Sequence, residues 1–260
     1  MAELLEVTGM VIAAGPIGEY DKRVVLLTKE LGKISAFARG ARKPGNALMA
    51  ACESFAFGTF AIYPGRSSYT VEKAVIKNYF RELAADFDGA CYGYYFLEFA
   101  DYFARENEDG GAMLSLLYYS LRALLDSRIP DRLVRAVYEL KQLVINGEYP
   151  EFFCCTACGS SENLEGFSIE ADGVVCHSCL GHRGVMRISP ATLYTLQYIV
   201  ATPVDRLYSF TVKDDVLAQL TEVMHRCVDT YVDKRMKSLD MLEICLLYTS
   251  PSPRDVEESR

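Results

Sequence analysis

Apolar residues recur at every second position through much of the first eighty residues. In Lys33-Ile34-Ser35-Ala36-Phe37-Ala38-Arg39 the odd positions carry two cations, a hydroxyl and an aromatic ring, while the even positions carry small or branched apolar groups. A period of two puts these sets on opposite faces of a strand. Strands are predicted over Val7 to Ala14, Val24 to Thr28, Lys33 to Ala38, Phe55 to Tyr63 and Tyr69 to Lys77. They are rich in β-branched and aromatic residues and bounded by Gly15-Pro16, Leu31-Gly32, Lys43-Pro44-Gly45 and Pro64-Gly65. Five strands in so short a stretch predict a small barrel. An irregular connection over residues 40–54, between the third and fourth strands, matches an OB-fold.

Near residue 81 the apolar spacing lengthens to three and four. Leu83 to Arg105, Met113 to Ser127 and Asp131 to Ile145 predict helices, with Gly110-Gly111, Ile129-Pro130 and Tyr149-Pro150 between or after them. The pattern resumes at Ser189-Pro190, a cap and a first-turn proline for a helix to about residue 200. A long amphipathic helix is then expected over residues 213–242. The series Tyr92, Tyr94, Tyr95, Phe96, Phe99, Tyr102 and Phe103 could be read as a stacking surface, but it falls on a broad helical face. In a chain without tryptophan it is expected to fill the core.

Between the helical stretches stand Cys155 and Cys158, then Cys176 and Cys179, two C-x2-C pairs with seventeen residues between them. Phe167-Ser168-Ile169 reads as a strand, Asp172-Gly173 as a tight turn and Val174-Val175 as the return strand, so the segment predicts a zinc ribbon with a tetrahedral thiolate site. Cys154, His177 and His182 stand beside the knuckles as alternative ligands. A catalytic site would keep a coordination position open and recruit a general base, and no His here is followed by Glu two positions on, as a nucleobase deaminase requires. Cys52, Cys91, Cys227 and Cys245 are expected to pack as small apolar groups.

The predicted class is α+β multidomain: an OB-fold over residues 1–80, then an α-helical domain over 81–245 with the ribbon inserted at about 150–188. Residues 246–260, with Thr249-Ser250-Pro251-Ser252-Pro253, are read as a disordered or non-native tail. No apolar run reaches the roughly 18 residues that cross a bilayer, and Met1 opens an amphipathic strand, so a cytoplasmic protein is expected.

The net charge of −8 argues against a nucleic-acid partner until its distribution is considered. Residues 1–80 hold ten Lys and Arg against seven Asp and Glu, a balance of +3, which leaves −11 for the remainder. Within the basic part, the face carrying Lys33, Ser35, Phe37 and Arg39 offers an aromatic flanked by cations, and Arg42, Lys43 and Arg23 extend it. Bases can stack on Phe37 while the cations neutralise phosphates. The competing arrangement has the two faces exchanged, with Phe37 inside.

Gly18-Glu19-Tyr20-Asp21-Lys22-Arg23-Val24, Thr28 through Gly32-Lys33, Ala38-Arg39-Gly40-Ala41-Arg42-Lys43 and the four-cysteine ribbon together resemble the bacterial recombination mediator family RecO. The resemblance spans residues 1 to about 242. It implies a non-enzymatic, nucleoid-associated protein that binds single- and double-stranded DNA and anneals complementary strands. It further implies action with RecR and single-strand DNA-binding protein to load RecA. By position it assigns Arg39, Arg42 and Lys43 to the basic strand and loop, and the four cysteines to structural zinc. A zinc-stabilised protein–protein scaffold without DNA contact is the rival reading.

Overall fold

The computed structural model describes residues 3–181 and 184–249. The chain forms β1 (Leu5–Ile17), β2 (Asp21–Thr28), β3 (Gly32–Ala38), α1 (Leu48–Ala51), β4 (Phe57–Pro64) and β5 (Tyr69–Asn78). Four helices follow: α2 (Arg81–Ala85), α3 (Phe87–Phe103), α4 (Gly111–Ala123) and α5 (Asp131–Asn146). Then come β6 (Leu164–Ser168), β7 (Gly173–Cys176), β8 (Met186–Arg187), α6 (Pro190–Ala201), α7 (Asp214–Tyr231) and α8 (Lys237–Thr249). Among the described residues no helix is long and apolar enough to cross a membrane.

The first five strands close into a barrel in the order β1-β2-β3-β5-β4. Every pairing is antiparallel except that of β3 with β5. This is the expected OB-like barrel. Its interior holds Val7, Val11, Val24, Leu26, Ile34, Ala36, Ala38, Phe60, Ile62 and Val71. β1 is long enough to serve two neighbours, since Leu5–Met10 pair with β4 and Gly9–Ile17 pair with β2. A bulge between Val11 and Ala13 turns the strand at this corner. Gly9 and Gly58 lie opposite each other there. A Cβ on Gly58 would sit 2.2 Å from the Val75 carbonyl oxygen, so only glycine lets the strands approach this closely.

β4 begins two residues later than expected because Phe55 has a left-handed backbone (φ 73°) and its ring is buried against Tyr94, centroids 4.9 Å apart. The helix expected from Leu83 is broken at Asp86, whose carboxylate accepts from the Gly89 N–H at 3.0 Å and caps α3. Tyr92, Tyr95, Phe96, Phe99 and Phe103 are buried as predicted, while Tyr94 is exposed.

The chain divides into two compact units. The first runs to Leu117 and resumes at Met236; the second is Tyr118–Arg235. In the first, α8 packs on α3, with the Ser238 N–H and Oγ donating to Glu98 Oε2 at 2.9 and 2.6 Å. In the second, the three-stranded sheet β7-β6-β8 is inserted between α5 and α6 along the chain. Ser189 Oγ accepts from the Thr192 N–H at 3.1 Å, the predicted cap of α6. The single helix expected over 213–242 is two helices, α7 and α8, separated by an extended break at Val232. α8 runs through Leu246 to Thr249; the rest of the expected tail, from Ser250, lies outside the described residues.

Candidate nucleic-acid interface and metal centre

The register of the barrel strands fixes which side chains share its outer face. Arg23 of β2 lies directly opposite Phe37 of β3, Phe37 opposite Thr70 of β5, and Thr70 opposite Tyr63 of β4. Residues directly opposite point to the same face, so these four form one row across four strands. Their neighbours Ile34, Ala36 and Ala38 are buried inside. Phe37 is therefore half-buried on the outside, and the exchanged arrangement does not occur.

The cations differ in how they are held. Arg23 Nε donates to Ser35 Oγ at 2.9 Å, which lays the guanidinium along the sheet beside Phe37. Arg39 follows the end of β3 and is exposed. Arg42 ties the loop after β3 to the β1–β2 turn: its N–H donates to the Tyr20 carbonyl at 2.9 Å, and Nη1 to the Gly18 and Glu19 carbonyls at 3.2 and 3.1 Å. Lys43 Nζ stands 5.1 Å from the Tyr20 ring centroid, within cation–π range. Asp21 accepts from the Gly40 N–H at 2.7 Å, which fastens the same loop. Lys33, at the opposite end of β3, is engaged by α3: Nζ donates to the Asp101 carbonyl at 2.7 Å and lies 3.4 Å from Asp101 Oδ1. Arg23, Phe37, Arg39, Arg42 and Lys43 are thus gathered at one end of the barrel, and Lys33 is set apart from them.

Sequence reasoning missed a groove of 540 Å³ beside this row, lined by Arg39, Asn46, Tyr63, Thr70, Glu72 and Lys73 among others. Its far wall comes from β4 and β5. Only the parallel β3–β5 pairing brings that wall next to Phe37, and strand prediction gives no neighbour order.

In the second unit the ribbon strands position the four cysteines. Asp172 (φ 56°) and Gly173 form the predicted tight turn, and a Cβ on Gly173 would lie 2.4 Å from the Glu151 carbonyl oxygen. That close approach lets residues 151–156 run alongside β7, with the Glu151 N–H donating to the Asp172 carbonyl at 3.0 Å and the Val174 N–H to the Glu151 carbonyl at 2.9 Å. The first knuckle closes through the Cys155 N–H to the Ser160 carbonyl and the Gly159 N–H to the Cys155 carbonyl, both 2.7 Å.

The sulfurs of Cys155, Cys158, Cys176 and Cys179 all lie within 4.8 Å of one another, a group that could hold a metal ion. Four thiolates at about 2.3 Å from a tetrahedral ion are about 3.8 Å apart. Cys158 Sγ and Cys176 Sγ are 3.6 Å apart, so the cage has the right size. Burial opposes ionisation of Cys155, but the backbone N–H groups of Cys176, Ala157 and Cys158 outweigh it and bring this thiol down to about 6. Hydrogen bonding with Cys176, then burial, pushes Cys179 up to about 12. Cys154 is outside the group, and His177 instead places Nδ1 2.9 Å from Glu165 Oε2. His182 lies outside the described residues.

Comparison with known proteins covers both units. Residues 1–80 match the family described as "Recombination protein O N terminal", and residues 84–240 match "Recombination protein O C terminal". A protein of Symbiobacterium thermophilum named DNA repair protein RecO is 31% identical over 92% of this chain and 97% of its own length. Proteins of the same name from Acetivibrio thermocellus and Bacillus subtilis are 30% and 28% identical, each over 92% of this chain and over 96% and 95% of their own lengths.

Proposed function

The chain belongs to the RecO family of DNA repair proteins, and on that premise we propose that it is a non-enzymatic recombination mediator whose barrel binds and anneals DNA strands. In this reading it works with RecR and single-strand DNA-binding protein, and so assists RecA in loading on single-stranded DNA. The observation that carries the DNA-binding part is the outward row of Arg23 and Phe37, with Arg39, Arg42 and Lys43 at the same barrel end.

The mechanism follows from what these groups contact. Cations hold phosphate and sugar, which carry no sequence information and leave base edges free to pair. Phe37 supplies a π-face that any base can use. A second strand can then pair with the held one. The cysteine cage suits zinc in a structural role: four sulfur donors close the coordination sphere and supply folding energy rather than a reactive position. Cys155, Cys158, Cys176 and Cys179 would hold the ion.

Binding of fluorescent single-stranded DNA across a salt series tests the proposal. Four cationic contacts predict that log K falls with log salt at a slope of about −3, at roughly 0.7 per contact. Arg39→Ala or Arg23→Ala should each reduce the slope by about 0.7 and weaken binding equally on different sequences. Absence of binding to single-stranded DNA at low salt would instead favour the protein–protein scaffold.

A further inference from the structure

The row that begins with Arg23 and Phe37 does not end on β3. It continues through Thr70 to Tyr63, which is 38% exposed, and so presents a second ring on the same outer face. Phe37 and Tyr63 are separated by β5, two strand spacings or about 10 Å. Adjacent bases stacked as in a duplex strand are only about 3.4 Å apart. Two neighbouring bases can reach both rings only if they are splayed from each other, which a flexible single strand permits and a duplex does not.

The groove beside Tyr63 has room for one nucleotide. Its 540 Å³ falls within the range of small-ligand clefts. Arg39 and Lys73 both line it, and among the described residues neither side chain is engaged in a hydrogen bond or ion pair. Lys73 lies across from Ala61, on the outward side of β4 and β5. Asn46 uses Oδ1 to accept from the Leu48 N–H at 2.8 Å, which leaves its NH₂ group as the donor available to a base. Glu72 also lines the groove, so a phosphate seated beside its carboxylate would be repelled while a neutral base would not. The charges therefore sort a nucleotide by its parts: base against Tyr63 and Asn46, phosphate toward Arg39 and Lys73 and away from Glu72.

We infer that Tyr63 and Lys73 form a second nucleotide subsite, which makes the barrel selective for an unstacked single strand running across β2, β3, β5 and β4. This rests on the proposed DNA-binding function and adds a preference: oligothymidylate, whose bases stack weakly, should bind better than oligoadenylate.

The test exploits the absence of tryptophan from the chain. Tyr63→Trp introduces a sole indole, read by fluorescence while binding of labelled DNA is read separately by anisotropy. Oligothymidylate should quench the indole, and a duplex of equal length should bind without quenching it. Tyr63→Ala should weaken oligothymidylate binding about tenfold, with Tyr63→Phe close to the original protein. Lys73→Ala should lower the salt slope by about 0.7. Oligothymidylate that binds without quenching the indole, with Lys73→Ala unchanged, overturns the subsite and leaves the Arg23–Phe37 surface standing. Failure of the unaltered protein to bind any of these DNAs overturns the DNA-binding function itself, and the subsite with it.

Discussion

Phe37 and Arg39 stand two positions apart on the chain, and their substitution should leave different signatures. Phe37→Leu keeps an apolar side chain on the outer face but removes the ring, so single-stranded DNA binding should weaken about five- to tenfold with the salt slope unchanged. A changed slope would mean that the substitution had disturbed the neighbouring cations. Inside the second unit, Lys141 is buried and its ammonium donates to the Ile199 and Val200 carbonyls at 3.2 and 2.9 Å, the last turn of α6. Burial lowers its pKa from the usual 10.5. The folded protein thus gives up this proton at lower pH than the unfolded chain, and the unfolded state binds more protons in the interval between the two values. Stability should rise with pH through that interval, and Lys141→Met should flatten the rise. Urea midpoints measured at pH 8, 9 and 10 on both proteins would detect it.

At the level of elements, the barrel corner and the ribbon each depend on one local condition. Gly58→Ala would set a methyl against the backbone oxygen of Val75 and force β4 and β5 apart, at a cost of about 1–3 kcal/mol in urea unfolding. Cys176→Ser removes a buried sulfur from the cage; if the cage holds zinc as proposed, the purified variant should contain less of it than the unaltered protein, and hydrogen exchange should rise in β6, β7 and β8 while α5 remains protected. The alternation around Ile34, Ala36 and Ala38 and the two-residue spacing of the cysteines made the barrel and ribbon legible in the sequence, because each pattern answers to a local geometry. The break after α7 was hidden because Val228, Val232 and Met236 keep a four-residue apolar spacing straight through it. All three are buried, so periodicity alone continues where the backbone does not. The part of the candidate DNA surface on β2, β3 and the loop after it was legible for the same reason: Arg23 and Phe37 lie on the two strands of one hairpin, and Arg39, Arg42 and Lys43 follow it directly. Tyr63 and Lys73 come from strands whose place beside β3 is a property of the closed barrel.

Over the whole molecule, the chain leaves its first compact unit at Leu117 and returns to it at Met236. The return passes through the exposed Asp233-Lys234-Arg235, where trypsin should cut early in a limited digest. The released α8 fragment should co-elute with the remainder through its packing on α3, including the Ser238–Glu98 hydrogen bonds. Mass spectrometry of the eluted peak checks both statements. The same return path orders events during synthesis. As the polypeptide emerges from the ribosome, α3 appears long before the helix that covers it, with the ribbon and its neighbours translated in between. The barrel can close early, but its adjoining helix must wait, greasy side bare, until α8 is made; a chaperone that shields nascent chains would find its target there.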